Sequence, residues 1–173
     1  MKVNIKKTVL IALYTSIFVV LSLYGTINLY GLKITIQNIA IYMVAITMGM
    51  LPGTIVGFAG MFINQMLTYG FQATTLFWVL PQTILGAVTG YIFENNFVNV
   101  SNGKKFWITI ISLQILLTIL NTISLLIDSI IYGYYNFFTV FGTLVIRLMI
   151  SILTGIVFSI VIPILEKITK KIH

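Results

Sequence analysis

With 173 residues, 59% hydrophobic and only 8% charged, and a mean hydropathy of +1.08, the chain has too few polar side chains to coat a water-soluble body, where roughly 25% of residues are charged; its solvent is lipid. There is no cysteine, which excludes disulfides, thiolate catalysis and cysteine metal sites, and the one histidine is the terminal His173, which argues against a histidine base or a His-rich metal site. The net charge of +7 requires no nucleic acid, because the lysines fall where a membrane protein keeps them.

Apolar stretches of roughly 17–25 residues can span a bilayer, and six are predicted here, separated by turn chemistry. The first covers 8–24. Lys2, Lys6 and Lys7 before it resemble the start of a secretory signal, but the run is longer than a signal core and no small-residue cleavage site follows. It ends before Gly25 and Gly31. The second covers 35–50 and stops at Met50-Leu51-Pro52-Gly53, and the third covers 54–68 and stops at Tyr69-Gly70. The fourth covers 74–93 with Pro81 inside it, the fifth 106–131, and the sixth 138–165. The loop 95–103 is too short for a nucleotide-binding fold. The expectation is an all-α membrane protein, one bundle domain over 1–173.

The basic residues decide the count. Lys2, Lys6 and Lys7 precede the first span, Lys104 and Lys105 separate the fourth from the fifth, and Lys167, Lys170 and Lys171 follow the sixth. An even number of crossings puts all of these on one side, and lysine and arginine collect in cytoplasmic loops. Five or seven spans would split the clusters. The expected topology is six helices with both termini cytoplasmic, the basic ends facing anionic lipid. Only Lys33 then lies in an outer loop.

Polar residues within a membrane are costly and face the bundle interior or a cavity. Here they favour the outer half. Asn121, Ser124, Asp128 and Tyr132 share one face of the fifth span, and Gln114 continues it inward. Trp78 and Gln82 lie near the outer end of the fourth span, Gln37 and Asn38 open the second, and Asn64 and Gln65 close the third. Tyr135 belongs to the aromatic loop after the fifth span. Gln37, Asn38, Trp78, Gln82, Asn121, Asp128, Tyr135 and Arg147 are therefore the candidates for an outer basin that holds a flat, hydrogen-bonding small molecule. The competing reading is interfacial belt for the aromatics and interhelical glue for the amides. Asp128 and Arg147 are the charges within spans; either they pair, or Arg147, alone or with Lys33, meets an acidic group of a ligand. Thr143, Arg147 and Ser151 share a face.

Small residues mark close helix contact. Gly53 and Gly57 make a GxxxG match in a face continued by Gly60 and Asn64, which points to internal packing. Ala12 and Ser16 form a small-xxx-small face on the first span, available to a partner helix. No two carboxylates share an acid–base site, and there is no P-loop, HExxH or GxSxG motif. No enzyme activity, cofactor or metal is expected.

The six-span pattern with basic inner ends resembles the substrate-binding S components of energy-coupling factor transporters, which import vitamins into bacteria. The stretch 49–58, GMLPGTIVGF, is similar to that family's junction between its second and third helices. Leu120-Asn121-Thr122 followed by Ser129-Ile130-Ile131-Tyr132-Gly133 looks like the folate-transporting branch and its relatives. The resemblance implies a bacterial cell-membrane protein that captures a vitamin-like substrate at its outer face. It implies docking through the first helix onto a transmembrane coupling subunit driven by two ATPase subunits. It also implies that the whole body topples to carry the site inward. The family's Ala-x-x-x-Ala docking face has Ser16 at its second position here. Two readings from other classes stand beside it: a structural membrane protein of the rod-shape scaffold, which needs no outer basin, and a stand-alone secondary transporter, which favours polar residues near the midplane.

Overall fold

In lipid every backbone N–H and C=O must be satisfied within the protein, so a chain this apolar folds into helices. The computed structural model describes residues 5–29 and 32–172. Helix α1 (Ile5–Tyr24) is followed by a hairpin of β1 (Thr26–Leu29) and β2 (Leu32–Thr35), then α2 (Asn38–Met48), α3 (Met50–Tyr69), α4 (Thr75–Glu94), α5 (Gly103–Ile131), a single turn α6 (Phe137–Val140) and α7 (Leu144–Ile172). Five helical segments are long and apolar enough to cross a membrane, the last of them running from α6 through α7.

Two features depart from the predicted spans. The expected all-α chain contains an antiparallel hairpin, pairing Thr26 with Thr35 and Leu29 with Leu32. Its strands are rich in β-branched residues, which suit a pleated ribbon. The predicted start of the second span at 35 lies in β2. The predicted sixth span, 138–165, is broken at 141–143. The Asn136 side chain accepts from the Phe138 N–H at 2.9 Å and starts α6.

Helix α2 has 11 residues, about 16 Å at 1.5 Å per residue, short of the roughly 30 Å hydrocarbon core. It is apolar all round because protein surrounds it: Ala40 through Ala45 are all buried. Gly49, at φ 92°, breaks the chain between α2 and α3. A side chain there would be strained and would lie 2.7 Å from the Glu94 carboxylate. That carboxylate accepts the Met50 N–H at 2.9 Å and so ties the end of α4 to the start of α3.

Helices α3 and α4 meet backbone to backbone. A Cβ at Gly53 would lie 2.7 Å from the Gly86 carbonyl oxygen, and Cβ atoms at Gly57 and Gly90 would overlap the backbone of Gln82 and Met50. Gly53/Gly57 thus faces a second small-residue pair, Gly86/Gly90, as expected of internal packing. Phe18 of α1 fills the space over Gly60. Around this seam lies the core of Phe18, Tyr42, Val56, Leu85, Ile110 and Phe158.

Pro81 within α4 has no N–H to give the carbonyl of Phe77, four residues before it. The Ser124 hydroxyl of α5 donates to that carbonyl at 2.6 Å. The proline therefore creates an acceptor, and the acceptor fixes α5 against the first turn of α4. Ser124→Ala is expected to lower stability by about 1–3 kcal/mol, the cost of an orphaned buried acceptor. Thermal unfolding in detergent reads this as a lower Tm. An unchanged Tm would mean that another donor replaces the serine.

Candidate functional site

At one end of the bundle the helices diverge around a cavity of about 670 Å³. Its wall comes from the ends of α1, α2 and α3, the first turns of α4 and α7, the C-terminal part of α5, and Thr26 and Thr35 of the hairpin. Lys6, Lys7, Lys104, Lys105 and Lys167 lie at the opposite helix ends. The antiparallel course of the helices brings their amides together: Gln37, Asn38, Asn64, Gln65, Gln72, Gln82, Gln114 and Asn121 all line the cavity. On α5 the lining residues Gln114, Leu117, Thr118 and Asn121 follow one helical face.

Several of these amides are buried, among them Asn38, Gln82 and Gln114. Asn38 Oδ1 and Gln82 Oε1 have no hydrogen-bond partner among the described residues. Unpaired buried polar atoms are costly and native proteins keep few of them. Both belong to side chains that line the cavity.

Asp128 is held by the protein itself. The Thr74 hydroxyl donates to Oδ1 at 2.5 Å, the Trp78 indole N–H to the same oxygen at 3.1 Å, and the Tyr134 hydroxyl to Oδ2. The first two donors come from the start of α4 and the third from the loop after α5, so the carboxylate joins three segments. The Tyr134 phenol is pushed up to about 12 by burial first and then by its bond to the Asp128 carboxylate. Its neutral form is the one the fold favours. Stability from this bond is therefore whole below pH 10 and is lost as pH rises through about 12.

Arg147 stands in the first turn of α7, because the break at 141–143 restarts the helix there. It lines the cavity and is half-buried. Its guanidinium has no hydrogen bond or ion pair among the described residues. The Asp128–Arg147 pair, one of two readings of the sequence, is not formed.

Seven of the eight predicted site residues line this one cavity: Gln37, Asn38, Trp78, Gln82, Asn121, Asp128 and Arg147. Tyr135 does not; it is exposed, and its neighbour Tyr134 reaches Asp128 instead. Gly133, at φ 74°, turns the chain just before this pair. Trp78 directs its N–H at Asp128, so its ring is oriented by the protein before any ligand arrives. Sequence reasoning did not commit to Asn64, Gln65 and Gln114, although their polarity within apolar spans was the available signal. Nothing in the sequence pointed to Thr26, Thr35 or Gln72, which reach the cavity through the hairpin and a loop. Ala12 and Ser16 are both exposed on α1, a helix that buries only Thr15 and Phe18.

Gln82→Ala and Asn121→Ala remove cavity amides without stranding a charge. Each is expected to weaken ligand binding about tenfold or more while the yield of monodisperse protein in size-exclusion chromatography stays level. Wild-type affinity in both would show that these amides are packing glue.

A family model described as ECF-type riboflavin transporter, S component, matches residues 2–170. No curated protein matches the chain. The family match supports the S-component resemblance and leaves its folate branch without support. It also replaces the rod-shape scaffold reading with that of a transporter's binding subunit in a family that is not one of enzymes. The apolar helices and this match make the chain a multi-pass membrane protein. The chain belongs to the ECF-type riboflavin transporter S component family, whose members are the substrate-binding subunits of energy-coupling factor transporters.

Proposed function

We propose that this subunit captures a flat heteroaromatic vitamin of the flavin class in the cavity at the end remote from its basic termini. The observation that carries the reading is the cavity itself. Eight amide side chains converge on about 670 Å³, a size within the range of small-molecule sites, in a chain that otherwise has little polarity to spend. Amides supply the directional hydrogen bonds that a flavin ring edge requires, and Trp78 and Tyr69 add aromatic surface. The substrate for which the family is named favours riboflavin over a folate. The test is titration of riboflavin into the purified protein, followed by quenching of flavin fluorescence. Saturable binding at one site is expected. Riboflavin that fails to bind, beside a different vitamin identified by mass spectrometry of the purified protein, would replace the flavin with that compound.

The same reading has six crossings with both termini in the cytoplasm, the short α2 serving as a crossing by being sheathed in protein. The lysine clusters at 2–7, 104–105 and 167–171 support it. Reporter tags before Lys2, at Asn102 and after His173 should all read cytoplasmic; an external Asn102 tag overturns the topology. Delivery then depends on a coupling subunit and two ATPase subunits, since the chain has no nucleotide motif. The exposed Ala12 and Ser16 on the sparsely buried α1 are the docking face. Ala12→Trp or Ser16→Trp should block cellular uptake while leaving binding in detergent nearly intact. Uptake by the purified chain alone in liposomes would instead establish a stand-alone transporter.

A further inference from the structure

The two charges on the cavity wall are treated differently by the fold. The oxygens of Asp128 already accept from three neutral protein donors, Thr74, Trp78 and Tyr134. Arg147 lines the same cavity, half-buried, and its guanidinium takes no partner among the described residues. Of the two, the guanidinium of Arg147 is the one whose hydrogen-bonding groups remain open to a ligand. A guanidinium in a confined, partly desolvated site binds carboxylate or phosphate strongly, often with two parallel N–H donors. Its position in the first turn of α7 adds the positive end of the helix dipole. Ser151 and Thr154, one and two turns further along the same face, also line the cavity. They keep that wall polar next to the arginine.

Resting on the reading of this cavity as the substrate site, we propose that it is built for a flat ring that carries a phosphate or carboxylate, and that Arg147 binds that anion. The amides of α2, α4 and α5 receive the neutral ring, and Arg147 receives the charged tail. A phospholipid headgroup offers the same phosphate chemistry. The ligand source is favoured because Arg147 shares its cavity with Gln82 and Asn121 rather than standing on the outer face of the bundle.

The experiment compares matched ligands that differ only in the anion: riboflavin with flavin mononucleotide, and 6-hydroxymethylpterin with pterin-6-carboxylate. Calorimetric titrations use the purified chain in maltoside detergent and again in phosphatidylcholine nanodiscs. In at least one pair the anionic member should bind about tenfold or more tightly than the neutral one, in both media. Arg147→Gln should remove that ratio, whatever it does to the affinity for the neutral member, and Arg147→Lys should keep part of it. The wild-type ratio stands by itself if the glutamine variant fails to fold. Neutral members that bind as well or better in both pairs overturn the proposal, as does failure of both anionic members to bind. A ratio that survives in Arg147→Gln assigns the anion elsewhere and overturns it too. A ratio seen in detergent but lost in nanodiscs gives Arg147 to lipid phosphate. If the pterin pair obeys the rule while neither flavin binds, the flavin reading falls and the role of Arg147 holds.

Discussion

A Cβ on Gly57 or Gly86 would overlap the backbone of the facing helix, so α3 and α4 approach as closely as they do only because four glycines stand at 53, 57, 86 and 90. Lipid gives helices little hydrophobic reason to associate, and close van der Waals contact does that work instead. The seam sets the rest of the bundle. It leaves the buried α2 packed against both helices, with Gly53 under Ala45. It seats Phe18 of α1 over Gly60. It also fixes where Gln82 stands, since the Gln82 carbonyl is part of the contact and its side chain lines the cavity.

Once the helices are locked at the seam, their other ends can diverge around polar groups. Buried amides destabilise a fold unless they find partners, so a cavity wall of this composition needs a rigid frame. Part of that frame is polar as well. Ser124 occupies the carbonyl freed by Pro81, and Asp128 gathers donors from Thr74, Trp78 and Tyr134. These bonds join α4, α5 and the following loop along one line. They hold Trp78 at the cavity and occupy the oxygens of Asp128. Arg147 is left as the charge on the wall that no described protein group answers.

The exposed flank of α1 has a different character. Helix α1 buries two residues and shows an apolar flank with small residues at 12 and 16. A helix so lightly attached can exchange lipid for another protein with little disturbance of the core behind it. The cavity and this exposed flank thus sit largely on separate elements. The cavity draws from α1 only its last turn, Ser22 and Leu23.

Composition and period sufficed for the class of protein, because lipid demands long apolar helices whatever their partners. The first, third, fourth and fifth spans read from the sequence lie on α1, α3, α4 and α5. The amides at 37, 38, 82 and 121 were legible for the same reason: a polar group within an apolar span must face inward. Contacts distant in sequence decided the rest. The hairpin at 26–35 and the break at 141–143 depend on what packs beside them, which an apolar run does not reveal. After the turn at Gly133, Tyr134 rather than Tyr135 reaches Asp128. Asp128 and Arg147 look like a natural ion pair in a sequence this poor in charge. Three donors from two other segments claim the carboxylate first, and only the tertiary structure brings those donors within reach.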